Sequence, residues 1–491
     1  MDRREFILNT AKALGFLYTS QVVNANEQRE LDSPKNVANS LAASNSYEQE
    51  KSLYDVCVVG AGAAGIYACK LLQEQGKSFV CLEARSRVGG RIYSQKLANG
   101  NHIELGAQWL AKSGQTRFAS LVKEHKYKPL VNFQDGLTVF LKDNQKQLLE
   151  NGVYPLSSLG ELDVYRVGQQ IDQLAKKIAA AKPWHFPSLD QVSVYDWIQK
   201  TSQHKESAEY WLNIIESGFC VNPKLLSALE CLQGFSTVGG VKKLAEADRY
   251  YFAEGIQSIF EKIADSLGNK LVLNSPVLSI EHSENQVIVQ TNQSQYQCQK
   301  VILALPPQLI GKMLINPALP TSYSNALNNL QTGKVVKMIG VYKKPWWRED
   351  NLSGTITSPD SDIDFVIDSS HPSSPIGILV ALVGGTRAES INPLNTIAKQ
   401  ELFESFVKTA FGRSEQLEEF YSHDWISDPY SLGAYRSSRG IGEWVKSQNI
   451  FSRSFGSIHF AGTETASSWR GYIEGALQSA ERAVRRAIKD V

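Results

Sequence analysis

Apolar and polar positions just after residue 50 follow the order strand, helix, strand. Residues 55–59 form a continuous apolar run, residues 66–75 repeat their apolar positions with helical spacing, and residues 78–82 form a second apolar run. Short uninterrupted apolar runs predict parallel strands buried on both faces, with the helix as the crossover between them. Three later apolar segments predict further strands of this sheet, at residues 271–280, 287–291 and 301–305. The second of them is expected to form a hairpin with the first. The pattern indicates an α/β fold.

The middle of the chain has a different pattern. Helical runs cover residues 162–180 and 207–217, and aromatic residues cluster around them. Because such aromatics usually pack in a core, this stretch predicts a second, partly helical unit. Near the C-terminus, apolar residues share one face of a last helix, at positions 477, 480, 484, 487 and 488.

A glycine-rich turn joins the first strand to the first helix. Gly60, Gly62 and Gly65 follow the spacing GxGxxG, with Ala63 and Ala64 between the last two. The first glycine makes a tight turn, the second lets backbone approach a pyrophosphate, and the third lets the helix pack close to the strand. Phosphate groups would then lie at a helix N-terminus, where free N–H groups and the helix dipole favour negative charge.

An acidic residue ends the second strand. Glu83 lies 23 positions after Gly60, where it is placed to accept hydrogen bonds from ribose hydroxyls. A carboxylate at this position would repel a 2′-phosphate, which argues against NADP. A structural turn without any ligand is the alternative, but strand, glycines, helix, strand and acid occur in the order that dinucleotide binding requires. We therefore predict a dinucleotide site.

A second glycine element directly follows this strand and carries a family resemblance. The segment EARSRVGGR starts at Glu83, continues with Ala84 and Arg85, and ends with Gly90 and Arg91. Its glycine pair can bring backbone against the cofactor a second time, and its last arginine offers a cation for phosphate. The segment resembles the flavin-containing amine oxidases, which include monoamine oxidase, polyamine oxidase and L-amino-acid oxidase. The chain looks most like an exported bacterial protein of the monoamine oxidase type.

The resemblance covers essentially everything after residue 52. It implies FAD rather than NAD, and an α/β fold in which a Rossmann-like FAD-binding domain of the glutathione-reductase type is interleaved with a substrate domain of mixed sheet and helices. We expect the FAD-binding domain at residues 51–130, 245–310 and 425–491, and the substrate domain at residues 131–244 and 311–424.

The resemblance also implies further cofactor contacts. Gly106, Ala107, Gln108 and Trp109 match a segment that passes over the flavin in this family, and Val277 matches the residue that meets the adenine end. The remaining expected contacts lie near the C-terminus: Gly462, Glu464, Tyr472 and Ile473.

The predicted cofactor is non-covalent FAD. Monoamine oxidases tether the flavin through a cysteine, and the matching position in this chain is Ala434. A side chain without a thiol cannot form the thioether. The cysteines and histidines show no metal-binding spacing, so no metal site is predicted.

Lys337 matches a lysine that, in this family, holds a water molecule against flavin N5. A buried cation there suits reoxidation by oxygen, which passes through anionic superoxide and peroxide. The alternation of Val336, Lys337 and Met338 also fits an ordinary surface lysine on a strand. Only the resemblance favours the functional role.

Tyr435 and Tyr472 match the two tyrosines of the family's aromatic cage. Two ring faces would attract the amine, exclude water and orient its Cα–H toward N5; packing in the core is the alternative. L-Amino-acid oxidases place an arginine after the Gly–Ala turn to clamp the substrate carboxylate, whereas this chain has Gln108, Trp109 and Leu110 there. This difference favours amines without a carboxylate.

The expected activity is the oxidative deamination of primary monoamines, with hydride transfer from the amine Cα to flavin N5. The imine would hydrolyse to aldehyde and ammonia, and oxygen would reoxidise the flavin to give hydrogen peroxide. The alternatives are a polyamine or putrescine oxidase, an L-amino-acid oxidase, a periplasmic amine dehydrogenase with another electron acceptor, and a flavoprotein retained as a scaffold.

Composition and the N-terminus bear on partners and location. The net charge of +1 gives no case for nucleic acid or an anionic membrane surface as a partner, and no apolar run approaches the ~20 residues of a membrane-spanning helix. Residues 1–25, with the pair Arg3 and Arg4, resemble a twin-arginine export signal, and the polar residues 26–50 predict a flexible linker. We expect a periplasmic or secreted protein, exported already folded and without a membrane anchor. A retained basic helix is the alternative for the N-terminus, and a homodimer is left open.

Overall fold

The computed structural model describes residues 49–150, 154–244, 246–284 and 286–490. The predicted export signal at 1–25 and nearly all of the predicted linker at 26–50 lie outside these residues. The first described strand begins at Gln49, so the last two positions expected in the linker already belong to the strand.

The strands of the described part are numbered in chain order. They are β1 (Gln49–Val59), β2 (Phe79–Leu82), β3 (Ser94–Lys96), β4 (His102–Glu104), β5 (Leu130–Val131), β6 (Leu137–Lys142), β7 (Gln145–Leu149), β8 (Tyr250–Tyr251), β9 (Leu271–Val272), β10 (Val277–His282), β11 (Val287–Thr291), β12 (Gln295–Leu303), β13 (Leu314–Asn316), β14 (Leu330–Thr332), β15 (Val335–Tyr342), β16 (Leu352–Thr357), β17 (Phe365–Asp368), β18 (Gly377–Gly384), β19 (Leu417–Asp424), β20 (Ser437–Arg439) and β21 (Ile458–Phe460).

The α-helices of the described part are numbered in the same way. They are α1 (Ala63–Glu74), α2 (Thr116–Glu124), α3 (Ser158–Ala180), α4 (Pro187–Asp190), α5 (Val194–Thr201), α6 (Lys205–Phe219), α7 (Ala228–Val238), α8 (Val241–Leu244), α9 (Gln257–Asp265), α10 (Pro307–Ile310), α11 (Thr321–Asn328), α12 (Thr386–Ile391), α13 (Thr396–Phe411), α14 (Glu443–Ser447) and α15 (Ile473–Ala487).

The sheet that carries the glycine turn has the strand order of a Rossmann fold. Its parallel strands lie in the order β9–β2–β1–β12–β21. On the far side, β11 and β10 extend β12 as an antiparallel meander, and β13 pairs with β10 in parallel. In such sheets a ligand binds outside the carboxyl ends of the strands, where the strand order reverses. The glycine turn lies at this end of β1.

Both faces of this sheet are covered, which explains the uninterrupted apolar runs. Val56 and Val58 of β1 belong to an apolar cluster with residues of α1, α9 and α15. Cys57 and Val59 point the other way, into a cluster that includes Tyr323 of α11. The predicted buried parallel strands and α/β class are confirmed.

The second large sheet explains the environment of Lys337. It has the order β19–β15–β18–β17–β16–β6–β7, and all eight residues of β15 are buried. Lys337 pairs with Leu382 of β18 and His423 of β19, and its neighbours on the same face, including Ile339, pack against a cluster that contains Trp109. Because the segment before Trp109 covers this face, Lys337 is 0% exposed, and the surface-lysine alternative is wrong.

The stretch 271–280 is two strands rather than one. β9 continues the parallel sheet beside β2, whereas β10 belongs to the meander. Between them Asn274 has a φ of 54°, and Pro276 has no N–H to donate to a ladder. The turn therefore moves the chain from one edge of the sheet to the other.

The helical middle of the chain forms a separate apolar core. The runs predicted at 162–180 and 207–217 are found as α3 and α6, each a few residues longer. Tyr210 and Trp211 are fully buried between these helices and α7, so core packing is correct for them. The domain boundaries stay a prediction, and β13, from the segment 311–424, pairs into the first sheet.

Candidate active site

Two glycines of the turn are required by the protein's own packing. Gly60 has a φ of +96°, and a Cβ there would lie 2.8 Å from the carbonyl oxygen of Ala304. A Cβ at Gly65 would lie 1.8 Å from the carbonyl oxygen of Gly60. Ala63 and Ala64 form the buried start of α1. The tight turn and the close helix–strand approach predicted from the sequence are both present.

The middle glycine faces open space instead. A Cβ at Gly62 would meet nothing closer than the Gly89 carbonyl oxygen at 3.8 Å and the Gly90 Cα at 3.9 Å. The Gly89 N–H donates to the Ala61 carbonyl oxygen at 2.9 Å, so the two glycine elements lie side by side. Free room beside two glycine backbones at a helix N-terminus is what a pyrophosphate needs. On this observation the residues fit FAD.

Glu83 lies directly behind this turn. Its buried carboxylate accepts the N–H of Ala61 at 2.6 Å and the N–H of Arg85 at 2.9 Å; Ala84, between the acid and Arg85, is half-buried. A carboxylate has about four acceptor positions. Two therefore remain for the ribose hydroxyls predicted to bind here.

Arg91 is held by a carboxylate that was itself predicted to contact FAD. Nη1 and Nη2 of Arg91 donate to the two carboxylate oxygens of Glu464 at 2.7 and 3.0 Å, and Nη1 also donates to the carbonyl oxygen of Tyr435. These bonds use three of the five guanidinium donors. Arg85 is similarly held by Asp428 and by Ser431 Oγ. Both cations are fixed in place with donors left for phosphate.

Lys337 meets the segment predicted to pass over the flavin. Its Nζ donates to the Glu104 carbonyl oxygen at 2.5 Å and to Gln108 Oε1 at 3.1 Å. The Ala107 N–H donates to the carbonyl oxygen of Arg91 at 3.2 Å. The buried lysine, the turn at 106–109 and the phosphate-side arginine are therefore joined in one network.

Glu104 is a titratable neighbour that the sequence did not single out. Burial lowers the pKa of Lys337 to about 7, and the charge of Glu104 opposes this shift. Burial also raises the pKa of Glu104 to about 7, against hydrogen bonds from Ser94 Oγ and the Ile256 N–H, both at 2.7 Å. The site thus holds a lysine whose pKa lies well below that of an exposed lysine. Nothing in the local sequence distinguishes Glu104 from an ordinary strand acid.

The two tyrosines are tied to adjacent residues of one turn. Thr463 Oγ1 donates to the carbonyl oxygen of Tyr472 at 3.0 Å. Glu464, the next residue, pairs with Arg91, which in turn donates to the carbonyl oxygen of Tyr435. The structure therefore brings together Tyr435 and Tyr472, which are 37 positions apart in the sequence.

Tyr472 carries a buried polar atom. Its ring packs edge-on against Trp469, with the ring centroids 5.1 Å apart. Its hydroxyl is buried and has no hydrogen-bond partner among the described residues. Burial raises the pKa of the phenol well above its ordinary value, so the hydroxyl keeps its proton at neutral pH.

A buried charge cluster supports both tyrosine segments. Glu230 of α7 accepts from Arg470 Nη2 at 2.9 Å and from Trp444 Nε1 at 2.8 Å, and lies 3.7 Å from Arg436 Nη2. Arg436 follows Tyr435 directly, and its Nη1 donates to the carbonyl oxygen of Arg470 at 3.4 Å. Nothing in the local sequence singles out these residues, since their partners come from distant segments.

The remaining predicted residues lie at turns and element ends around this site. A Cβ at Gly106 would lie 2.0 Å from the backbone nitrogen of Tyr93, and Gly462 has a φ of +122° and donates its N–H to Ser479 Oγ at 2.8 Å. Three others are placed as follows: Val277 starts β10, Ile473 starts α15, and Ala434 is buried before Tyr435. Their contacts with FAD stay a prediction.

The fold and the site together define a class of protein: a flavoenzyme with a Rossmann-type cofactor domain. The sequence model of the family described as flavin containing amine oxidoreductase matches residues 63–488. Amine oxidase (flavin-containing) B of Mus musculus is 31% identical over 460 residues, covering 88% of this chain and 86% of the mouse protein. Amine oxidase (flavin-containing) A of Equus caballus is 28% identical over 454 residues, covering 89% and 85%.

A solved structure gives the same result. Wild-type putrescine oxidase bound to putrescine matches with a TM-score of 0.84 and 26% identity, over 89% of this chain and 99% of that protein. This chain belongs to the flavin-containing amine oxidoreductase family. The predicted family, FAD cofactor and amine oxidoreductase class are confirmed.

Three further properties concern the described part of the chain alone. No helix there is long and apolar enough to cross a membrane, and no group of three or more His, Cys, Asp or Glu residues there could hold a metal ion. The cysteines are all buried and unbridged.

Proposed function

We propose that this protein is an FAD-dependent oxidase that deaminates primary amines with oxygen as the electron acceptor. The overall reaction converts R–CH2–NH2, O2 and water into R–CHO, NH3 and H2O2. The observation that carries the proposal is the network that joins the buried Lys337, the ion pair Arg91–Glu464 and the backbones of Tyr435 and Tyr472. FAD, when bound, supplies the acceptor for the hydride that leaves the amine Cα.

The residues of the chain have separate tasks in this reaction. The rings of Tyr435 and Tyr472 orient the amine and keep water away from its Cα–H. Lys337 places a charge that can be gained or lost near neutral pH beside the turn at 106–109, where it stabilises developing negative charge on oxygen. Arg91 and the Gly62–Gly90 cradle hold the diphosphate. With Ala434 at the tether position, FAD is held without a covalent bond.

The substrate is proposed to lack a carboxylate. The Gly–Ala turn is followed by Gln108, whose side chain is occupied by Lys337 and by Ser369 Oγ. Arg436 and Arg470, which lie near the tyrosines, are engaged with Glu230. No arginine therefore follows the turn, and the guanidinium groups of Arg436 and Arg470 are already engaged by a carboxylate.

The proposal is tested by anaerobic mixing of the purified yellow protein with benzylamine, butylamine, putrescine, spermidine and L-leucine, followed by air. We expect the flavin to bleach with primary amines and to recover its colour in air with formation of hydrogen peroxide. Bleaching by L-leucine alone would contradict the substrate class. Bleaching without return of colour in air would point to a dehydrogenase with another acceptor, and no bleaching would favour a scaffold.

The location is a separate proposal. We propose export of the folded flavoprotein to the periplasm by the twin-arginine signal at residues 1–25, which rests on the pair Arg3 and Arg4. Replacing both with lysine should leave the protein in the cytoplasmic fraction. An unchanged distribution between the fractions would refute it.

A further inference from the structure

Lys337 is held by two acceptors that lie on one short segment of the chain. Its Nζ donates to the carbonyl oxygen of Glu104 at 2.5 Å and to the side-chain oxygen Oε1 of Gln108 at 3.1 Å. Both acceptors are uncharged, since one is a peptide carbonyl and the other a carboxamide. A protonated lysine carries three donors. These bonds therefore leave one position on Nζ, and the two acceptors fix its direction.

The segment that carries these acceptors is fixed by its own backbone. The Gly106 N–H donates to the carbonyl oxygen of Tyr93 at 2.6 Å, and the Ala107 N–H donates to that of Arg91 at 3.2 Å. Gln108 follows directly and is only 3% exposed. Its side chain therefore starts from a backbone that cannot shift without breaking these hydrogen bonds.

The orientation of the Gln108 amide is set from its other end. Nε2 of Gln108 donates to Ser369 Oγ at 2.9 Å. Ser369 directly follows β17, and its N–H donates to the carbonyl oxygen of Ile378 on β18 at 2.8 Å. The reverse orientation of the amide would set its NH2 group against the donors of Lys337. Oε1 therefore faces the lysine, and the amide joins the turn at 106–109 to the second large sheet.

Two titratable side chains lie beside Lys337 on neighbouring elements. One is the buried carboxyl of Glu104 on β4. The other is His423, which lies directly opposite Lys337 on β19 and has its Nε2 3.6 Å from Asp428 Oδ2; on β18 the opposite residue is the apolar Leu382. Burial lowers the pKa of Lys337 to about 7, and the charge of Glu104 opposes this shift. A neutral partner at position 108 supports the ammonium group without adding a charge that would raise its pKa.

We propose that Gln108 is a positioning residue for Lys337 in flavin reoxidation: its amide oxygen, held by Ser369, fixes the direction of the one Nζ position left for oxygen or a water molecule. This inference rests on the proposed oxidase function and on the role proposed there for Lys337. The side chain of Gln108 acts through the lysine. Without its acceptor, Nζ would keep only the carbonyl oxygen of Glu104, and one hydrogen bond leaves the ammonium group free to rotate about it.

Two variants at position 108 separate a positioning role from simple packing. Gln108→Met removes the acceptor, whereas Gln108→Glu keeps an acceptor oxygen and adds a charge. Ser369 Oγ can still donate to the new carboxylate, because a hydroxyl both donates and accepts. Loss of a hydrogen bond to the charged form should lower the pKa of Lys337, and an adjacent carboxylate should raise it. The two shifts have opposite signs, which a merely structural role would not produce.

The first measurement follows the lysine itself. In holoenzyme labelled with 13Cε-lysine, the Lys337 resonance is identified by its absence from Lys337→Met and is followed as the pH is raised. Its midpoint should lie about 1 pH unit or more above the wild-type midpoint in Gln108→Glu, and below the wild-type midpoint in Gln108→Met. Gln115→Met is the matched control, because Gln115 is 2% exposed and its Oε1 accepts the Ala111 N–H at 3.2 Å, outside the Lys337 network. Its midpoint should be that of the wild type.

The second measurement follows the reaction with oxygen. Each holoenzyme is reduced with dithionite rather than with an amine and is mixed with oxygen in a stopped-flow instrument over a range of pH. Below the lysine midpoint, Gln108→Met should reoxidise about tenfold or more slowly than the wild type, because Nζ is no longer held in one direction. Gln108→Glu keeps an acceptor at the same position and should be faster than Gln108→Met. Gln115→Met should keep the wild-type rate.

The outcomes distinguish this inference from the proposed function. If the lysine midpoints of Gln108→Glu and Gln108→Met coincide with that of the wild type, the positioning role is refuted while the oxidase stands. If the reduced wild-type flavin does not react with oxygen at any pH, the oxidase itself is refuted, whatever the lysine titrations give. Should Gln108→Met fail to fold, Gln108→Glu decides alone: a higher midpoint supports the contact, and an unchanged midpoint overturns it.

Discussion

Replacing Glu230 by glutamine should lower the stability of the folded protein, because Glu230 holds the segments that carry the two tyrosines. The carboxylate is 0% exposed and is the shared partner of Arg470 and, at longer distance, Arg436. Glutamine keeps the shape and the acceptor for Trp444 Nε1 but removes the charge. Two buried guanidinium groups would then lie close together without compensation. Removing one partner of a buried ion pair costs about 3–5 kcal/mol.

This loss of unfolding free energy should be measurable as a lower Tm. Unfolding entropy of about 2.1 cal/mol/K per residue gives ~1 kcal/mol/K for a chain of this length, so Glu230→Gln should lower Tm by about 3–5 °C. Glu209→Gln is the matched control, because Glu209 pairs with Lys142 at 2.9 Å with both side chains 39% exposed. An exposed pair contributes about 0–1 kcal/mol, so this control should move Tm by ~1 °C or less.

The pH dependence of the stability difference between the wild type and Glu230→Gln checks this prediction independently. Burial by itself would raise the pKa of Glu230, but the charges of Arg470, Arg436 and Arg439 lower it below the ordinary 4.5. A lowered pKa means that the stabilisation is present above pH ~4.5 and is lost as the pH falls through the folded-state value. The difference between wild type and variant, followed by thermal denaturation, should shrink in acid. Equal Tm values for Glu230→Gln and Glu209→Gln at pH 7 would refute the reasoning.

Three further outcomes concern the cofactor and the cage. Lys337→Met should slow reoxidation of reduced flavin by oxygen about 10²-fold. The wild-type rate should fall as the pH rises through about 7, because the lysine then loses its proton. Lys334→Met, a partly exposed control, should leave the rate unchanged, and an equal effect of both variants would contradict the role of Lys337 in reoxidation. Arg91→Lys loses the bidentate contact with Glu464 and should release FAD about tenfold more readily in ultrafiltration. Undiminished retention of FAD would contradict the role of Arg91 in cofactor binding. Tyr472→Phe should keep most amine turnover, whereas Tyr472→Ala should lower the turnover rate tenfold or more. Equal rates of the two variants would contradict a role of the aromatic ring in the reaction.

Local sequence was sufficient to predict the backbone of the glycine turn. The roles of Gly60 and Gly65 follow from the backbone of a tight strand–helix turn, and the structure shows the predicted close approaches. Glu83 ends a strand whose neighbours are set by a continuous apolar run, so its position next to the turn was also predictable. These residues lie within one strand–helix–strand unit, where sequence spacing fixes spatial distance.

Lys337 shows where sequence alone was insufficient. The alternation of apolar and polar positions in β15 is compatible with an exposed lysine, because alternation does not reveal what covers the second face. In the structure that face meets the segment before Trp109, more than 220 positions earlier in the chain. The family resemblance favoured a buried lysine, but only the packing of the segment before Trp109 against β15 buries the side chain.

The sequence by itself determined the α/β class, the glycine cradle with its acid, and the two motifs that carry Tyr435 and Tyr472. Tertiary structure alone decided the charge environment: the pairing of Arg91 with Glu464 and the support of both tyrosine segments by Glu230. The physical reason is that periodicity and turn chemistry act over a few residues, whereas burial and electrostatic pairing depend on which distant segments the fold brings within a few ångströms.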